Sequence, residues 1–560
     1  MKKLSHFLKF ILIILLLFCG KTFAHIGSSG VVYEGKAGKY NVQVFINPPD
    51  VIPGTATVSV LVDGVDVQKI SLKPIFYWSG EDGTPRSDEA LPVKGEAGKF
   101  EGVVWLMQSG AAAIKIEIEG NRGKGSTLVP IAAVATAKRN LPPNLGWILG
   151  GLGLLLLGLM TTIIGASNSD SLLKPGEKIS QKVMRKRIIG SVSGVAFCGF
   201  ALFGGNLWWK AEADNYSKDM YRSFTAKSKI SVENGQRILH FSIDSASVKG
   251  RSLSYLIPDH GKLMHLFLVK QGTMDAFAHL HPVRKDTLNF EAVLPNLPAG
   301  KYLLYADILR YHGFQYTIAD SLIVPPNPLK GGENSSSLVG NADDTYVITN
   351  PLNSQKPLLQ DEIITICGSP GVKTPLQDGS SIVWEEKPNQ VLMVGKVYDL
   401  KFSVLAPDGK SAELQPYLGM MGHAAVLKDD GSVYIHLHPN GTFSTTSVQA
   451  MENRLSVENT EKNKGKYNKR ISDNLAKPTL QSTKFFRDSV DKIMTKLNAM
   501  PQTERDSLLM AGMNHAQNGH HGGTVNFPYA FPSAGNYRIW LQIKRNGKIL
   551  TGVFDAKVNP

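Results

Sequence analysis

The chain has 560 residues, 61 Lys and Arg against 47 Asp and Glu, a net charge of +14 and 42% hydrophobic residues; this length and composition call for several folded domains and exclude an intrinsically disordered chain. The basic excess is spread along the sequence without any nucleic-acid motif, so it reads as solvated lysines near an anionic membrane, with no nucleic-acid partner. The cysteines are Cys19, Cys198 and Cys367; they allow no intramolecular disulfide framework, so cores alone must supply stability.

Residues 1–24 read as a signal peptide: Lys2 and Lys3, an apolar run from Phe10 to Phe18, and Thr22-Phe23-Ala24 as the cleavage site. Lipoprotein processing at Cys19 is the alternative, opposed by the bulk of Phe18. Cleavage after Ala24 makes His25 the mature N-terminus. Residues 25–143 read as all-β, with YNVQVFI, ATVSVLV, FEGVVWLM and AAIKIEI separated by Gly, Pro and Asn turns; the spacing suggests an immunoglobulin-like β-sandwich. Two apolar runs, 145–166 and 188–209, are long enough to span a bilayer, and Trp208 and Trp209 suit its interface.

Between these runs, 167–187 carries Lys174, Lys178, Lys182, Arg185, Lys186 and Arg187 against Asp170 and Glu177. The positive-inside rule puts this loop in the cytoplasm. Both large soluble regions then face the periplasm of a bacterial inner membrane, the orientation the signal peptide also requires.

After an expected polar stalk, 210–230, one pattern occurs twice. The first copy reads HGKLMHLFLVK, FAHLHP and LPAGKYLLYADI; the second reads GMMGHAAVLKDDG, YIHLHP and FPSAGNYRIWLQI. These define a first β-sandwich module, 231–325, and a second, 393–560, with linker and accessory strands over 326–392. The second copy carries an insertion, 448–525, with helices expected at 483–500 and 502–511. The fold class is therefore mainly β: tandem immunoglobulin-like sandwiches, a two-helix transmembrane hairpin and a partly helical insertion in the last domain.

In each copy a strand bears one histidine (His265, His423), and a strand end bears two (His279 and His281; His436 and His438). Residues two apart on a strand share a face, so each pair with its neighbour forms a plausible metal half-site. Asp307 is a candidate fourth ligand in the first copy; its aligned residue is Gln542, which makes the sites unequal. Met264 and Met421, beside the strand histidines, suit monovalent copper better than zinc. The insertion ends in LLMAGMNHAQNGHHGG, where His515, His520 and His521 resemble a copper-collecting tract. His25 could chelate copper through its amine and ring, and with a second histidine would support an oxidase-like site.

Three schemes explain the histidines: metal sites, structural hydrogen bonds that pin the strand ends, or a pH-responsive contact between modules. Hydrolase, zinc-protease and phosphate-loop signatures are missing, so neither an enzyme nor a small-molecule substrate is expected.

The histidine-bearing stretches MHLFLV, FAHLHP, LGMMGHAAVL and YIHLHP resemble a poorly characterised bacterial exported module. The first domain, HIGSSGVVYEGKAGKYNVQVFINPPDVIPG, is similar to YtkA-like and copper-resistance-type β-sandwich domains. The resemblance implies an envelope protein of metal handling; with the methionines and the two apolar runs, the expectation is copper ahead of zinc, the inner membrane as anchor and a metal transporter or envelope protein as partner. It implies no reaction. The alternative is a structural or protein-interaction module whose histidines are internal hydrogen-bond partners.

Overall fold

The computed structural model describes residues 30–560 apart from 65, 140, 170–173, 175, 328–339, 353–361, 367–368, 388–390, 464–482 and 512–521. Strand outweighs helix, 44% to 25%, so the protein is mainly β. The chain divides into two compact units, the smaller being Val134–Tyr221.

That smaller unit is a helical hairpin of α1 (Pro143–Ser169) and α2 (Gln181–Asp219). Both helices are long and apolar enough to cross a membrane, with mean hydropathy of 2.1 and 1.8 over their most apolar windows. Small residues line their contact: Ile164 covers Gly194, and Ser191 Oγ donates to Thr161 O at 3.4 Å. Two expected boundaries move. The basic segment is partly helical, since α2 starts at Gln181 with Ser180 Oγ accepting from Val183 N at 3.4 Å. The expected stalk is also mostly ordered: KAEADNYSKD has no Gly or Pro to stop a helix, so α2 runs on to Asp219, and a strand begins at Ala226.

In the larger unit, residues 31–133 form eight antiparallel strands ordered Val31–Ala37, Tyr40–Asn47, Gly54–Val62, Lys99–Leu106, Asp88–Pro92, Val67–Phe76, Gly110–Gly120, Gly123–Ala133. Alternation sets their inner face: Tyr40, Val42, Val44 and Ile46 are buried while Asn41 and Asn47 are exposed.

Each repeat is a pair of sheets. The first repeat's outer sheet is ordered Val283–Arg284, Asn289–Val293, Gln236–Ile243, Ala226–Glu233. Its inner sheet is built on β1 (His265–Lys270), β2 (Ala276–Leu280), β3 (Gly300–Arg310) and β4 (Gln315–Val324), with β1 between β2 and β3 and β4 paired to β3. The second repeat's inner sheet matches it: β5 (His423–Lys428) lies between β6 (Tyr434–Leu437) and β7 (Gly535–Arg545), and β8 (Lys548–Asn559) pairs β7. Register coincides as well. Phe267 faces His279 on one side and Tyr305 on the other; Ala425 faces His436 and Trp540.

The segment expected as linker and accessory strands divides between the repeats. Thr345–Ile348 pairs β2, whereas Glu362–Ile366, Ser369–Pro375 and Ser381–Glu385 belong to the outer sheet of the second repeat. That repeat therefore starts upstream of residue 393.

The two inner sheets pack face to face. Phe267, Val269, Phe277 and Tyr305 of the first share one buried cluster with Ala425, Leu427, Tyr434 and Trp540 of the second. Two aromatic stacks cross the contact: Phe277 on Trp540 at 4.8 Å and Tyr305 on Tyr434 at 4.3 Å. Such pairs add about 0.5–1.5 kcal/mol each beyond their area. Arg538 reaches across to donate to Met274 O at 2.9 Å and Asn350 O at 2.7 Å.

The insertion supplies α3 (Thr445–Asn463), α4 (Thr483–Ala499) and α5 (Gln502–Ala511). α4 and α5 fold back onto the first repeat, whereas α3 lies against the N-terminal domain, where Glu81 N and Asp82 N donate to Glu458. Thr483 Oγ1 and Tyr255 Oη are 2.8 Å apart, and Arg505 on α5 donates to Asp343 Oδ1 at 2.7 Å.

Candidate metal centre

The histidines sit at one end of the contact between inner sheets, beyond the aromatic stacks. Strand alternation puts His265 on the face of Phe267, His279 on that of Phe277, and His436 on that of Tyr434. Pro282 and Pro439 follow the two His-Leu-His segments and stop the strands there. His265, His279 and His281 offer ring nitrogens that all lie within 4.8 Å of one another, and so do His423, His436 and His438. All six are buried, none more than 2% exposed.

Within the triads, His265 Nδ1 is 3.1 Å from His279 Nε2, and His423 Nδ1 is 3.2 Å from His436 Nε2. Two nitrogens 2.0–2.1 Å from one tetrahedral ion stand about 3.3 Å apart, so the spacing fits a shared cation.

The opposite nitrogen of each ring fixes the tautomer. His265 Nε2 donates to Asp259 O at 3.1 Å, and His423 Nε2 donates to Tyr417 O at 3.0 Å. His438 Nδ1 donates to Phe443 O at 2.9 Å. A carbonyl can only accept, so these three nitrogens carry the protons. His281 Nδ1 donates to Asp344 Oδ1 at 2.9 Å, and His279 Nδ1 donates to Gln542 Oε1 at 2.8 Å. His436 Nδ1 points to Asp307 Oδ2 at 3.8 Å, longer than a hydrogen bond. In the first triad the nitrogens left without protons converge; in the second, His436 Nδ1 has no hydrogen-bond partner among the described residues, so nothing fixes which of its nitrogens carries the proton. His281 Nε2 and His438 Nε2 have no hydrogen-bond partner among the described residues.

Backing across the modules is reciprocal. Gln542 of the second repeat backs His279 of the first, while Asp307 of the first faces His436 of the second. Asp307 thus stands behind the other module's triad. It accepts from Tyr434 Oη at 3.2 Å and from Thr317 Oγ1. The triads also touch, with ring centroids of His265 and His436 5.3 Å apart.

Burial pushes His265, His279, His281, His423 and His436 well below 6.5, and His438 below it, so the rings are neutral. Burial pushes Asp307 and Asp344 the other way, up to about 7.

Of the remaining candidates, Met421 packs against the hydrophobic core of the second sandwich, and Met264 is buried next to His265. His25, His515, His520 and His521 lie outside the described residues, as does Cys367. Three residues joined the centre without being expected. Asp344 and the Asp259 carbonyl back histidines from segments whose position no strand pattern reveals. His260 is a seventh buried imidazole, its centroid 4.7 Å from that of His438; its one sequence signal is the His-Gly pair opening the first copy of the repeat.

A family model described as a domain of unknown function (DUF8832) matches residues 376–469 and 505–560. These are the second repeat and its histidines without the centre of the insertion. No curated protein matches the chain. Among solved structures, a tetra-tandem repeat in the extending region of a large adhesion protein aligns at 7% identity, covering 91% of this chain and 72% of that one with a TM-score of 0.15. A putative membrane-anchored protein from Corynebacterium diphtheriae aligns at 9% identity, covering 95% and 97%, with a TM-score of 0.13. Scores this low carry no argument about fold or function.

Proposed function

We propose that this is a membrane-anchored envelope protein that holds two transition-metal cations, one in each histidine triad, between two immunoglobulin-like modules. The observation that carries the reading is the convergence of unprotonated ring nitrogens. Between His265 Nδ1 and His279 Nε2, 3.1 Å apart with both protons held on the far nitrogens, two lone pairs repel, and a cation bound to both reverses the sign. Every ring of the triads except His436 is meanwhile held from behind by a carbonyl, carboxylate or amide, the outer-sphere pattern of histidine ligands. A purely structural role would set a donor against each second nitrogen.

Neutral imidazoles suit copper or zinc and not magnesium or calcium, which need oxygen ligands. Copper is the first choice and zinc the second. The buried carboxylates Asp307 and Asp344 would offset part of a dication's charge. With the basic segment between α1 and α2 in the cytoplasm, both β regions face the periplasm, where the protein would sequester the metal or pass it to a membrane partner.

The test is metal content by mass spectrometry, with copper and zinc titration, on purified full-length protein in detergent. Two equivalents are expected in the wild type and one in His279→Ala/His281→Ala. Binding no tighter than micromolar, or unchanged stoichiometry in the double variant, sinks the proposal.

A further inference from the structure

The repeat is asymmetric at the turn leading into each first histidine strand. Asp259-His260-Gly261-Lys262 stands where the second copy has Tyr417-Leu418-Gly419-Met420. Both are tight turns whose outer residues are bridged and whose central residues all have positive φ: 48° and 77° in the first, 52° and 79° in the second. Leucine fills this place buried in the second copy, so packing does not require an imidazole in the first. Yet His260 is 2% exposed and neither of its nitrogens has a hydrogen-bond partner among the described residues. A buried polar group without a partner is costly, and a ligand would remove that cost.

The ring of His260 approaches two of the three histidines of the other module's triad. Its centroid is 4.7 Å from His438 and 5.5 Å from His423, but 6.3 Å from His265. Ligand atoms of Asp259, His260 and His438 lie within 4.8 Å of one another, so His438 belongs to both groups. Asp259 Oδ1 is 3.4 Å from His260 Nε2 and accepts from the hydroxyls of Ser444 and Thr446 in the second module. The backing groups do not set this difference, since each triad has one carboxylate behind it: Asp344 on His281 at 2.9 Å and Asp307 facing His436 at 3.8 Å.

Resting on the metal reading above, we infer that the two sites are unequal. His260, lent by the first module, is the fourth protein ligand of the second-module site, oriented by Asp259. The first-module site keeps His265, His279 and His281 alone and leaves a coordination position for an exchangeable small ligand. Closed four-ligand sets hold metal; three-ligand sets keep a place for chemistry or transfer.

The experiment uses chelator-stripped, full-length protein in detergent, titrated with Co²⁺, whose visible bands report coordination number. Two equivalents in two resolved phases are expected. The tighter phase should show intense four-coordinate bands indifferent to azide, and the weaker phase bands that azide shifts. His260→Leu, which copies the mirrored turn, should keep both equivalents, weaken the tight phase about tenfold or more and make its spectrum azide-sensitive. His260→Asn, a side chain at ease in left-handed backbone, provides the same reading should the leucine variant fail to fold. Two equal phases in the wild type, or both variants titrating like wild type, overturn the inequality and leave the two-site reading intact. No bound cobalt overturns both.

Discussion

Because ligands and their backing groups come from facing sheets, bound metal should clamp the two modules together, and the size of that effect can be worked out. A ligand that binds only the folded state stabilises it by RT ln(1 + [L]/Kd), about 2.7 kcal/mol when free metal is 100 times Kd. With free metal at that multiple of the weaker site's Kd, two sites give at least about 5.4 kcal/mol. At about 2 °C per kcal/mol for a unit of this size, the unfolding midpoint should rise by about 10 °C. In His279→Ala/His281→Ala one site remains, so the rise should be about half. The substitution also removes the stack of His279 on Phe267, whose centroids are 4.1 Å apart. Each protein must therefore be compared with its own metal-free form. The assay is thermal unfolding in detergent with chelator and then with buffered free copper or zinc. Equal metal-induced rises in wild type and double variant, or no rise in either, refute the reasoning that places a cation among these nitrogens.

Acid should weaken the metal-free protein. Six imidazoles (His260, His265, His279, His281, His423 and His436) are pushed well below 6.5 by burial, so they stabilise the fold above that pH. This stability is lost as pH falls, at about 1.4 kcal/mol per group per unit. Asp307, Asp344 and Glu34, raised to about 7, oppose this between pH 7 and their ordinary range, but burial lowers His438 and His312 as well, so they are three against eight. The urea midpoint should accordingly be lower at pH 5.5 than at 7.5, and an unchanged or higher midpoint counts against it. Trp540→Ala removes a fully buried ring stacked between the modules and should cost roughly 3–5 kcal/mol, read as a fall in midpoint of the metal-free protein. Gly441→Ala puts a Cβ 2.0 Å from Val32 O at a φ of 135°, so it should loosen the N-terminal domain and raise its release by limited proteolysis; a wild-type cleavage rate would contradict the contact. A reporter fused near Arg185 should read cytoplasmic, and a periplasmic signal would invert the orientation.

Much of the centre was legible because a strand has a period of two. His279 with His281, and His436 with His438, had to share a face, and duplication marked them as one unit. That the two triads would meet was not legible, since the residues that bring them together are ordinary core residues in each copy. Phe277, Tyr305, Tyr434 and Trp540 read as strand aromatics, and nothing in their spacing says that they stack across modules. Asp307 was singled out as a carboxylate in the YLLYADI stretch of the first copy, but it faces His436, a contact that only the packing of one sheet on another creates. The length of the second apolar helix was not legible for a local reason: Lys210 to Asp219 is polar but contains no Gly or Pro, so the helix runs on into the expected stalk.

The backing groups explain why two copies occur in one chain and why each depends on more than itself. His279 needs Gln542 and His436 faces Asp307, so neither module holds its rings from its own strands alone. His281 needs Asp344, which lies in the segment after the first repeat. The turn that follows His438 closes through mutual bonds between His438 and Gly441, at 2.9 and 3.0 Å. That turn is in turn bonded by the N-terminal domain, where Glu34 N donates to Asn440 O at 3.0 Å and Thr442 N donates to Val32 O at 3.0 Å. Without a cation the centre is a burden on stability, because His260, His281, His436 and His438 each bury a nitrogen without a hydrogen-bond partner among the described residues. A chain that assembles them from three domains and a connecting segment therefore ties the completeness of the centre to correct docking of all its parts.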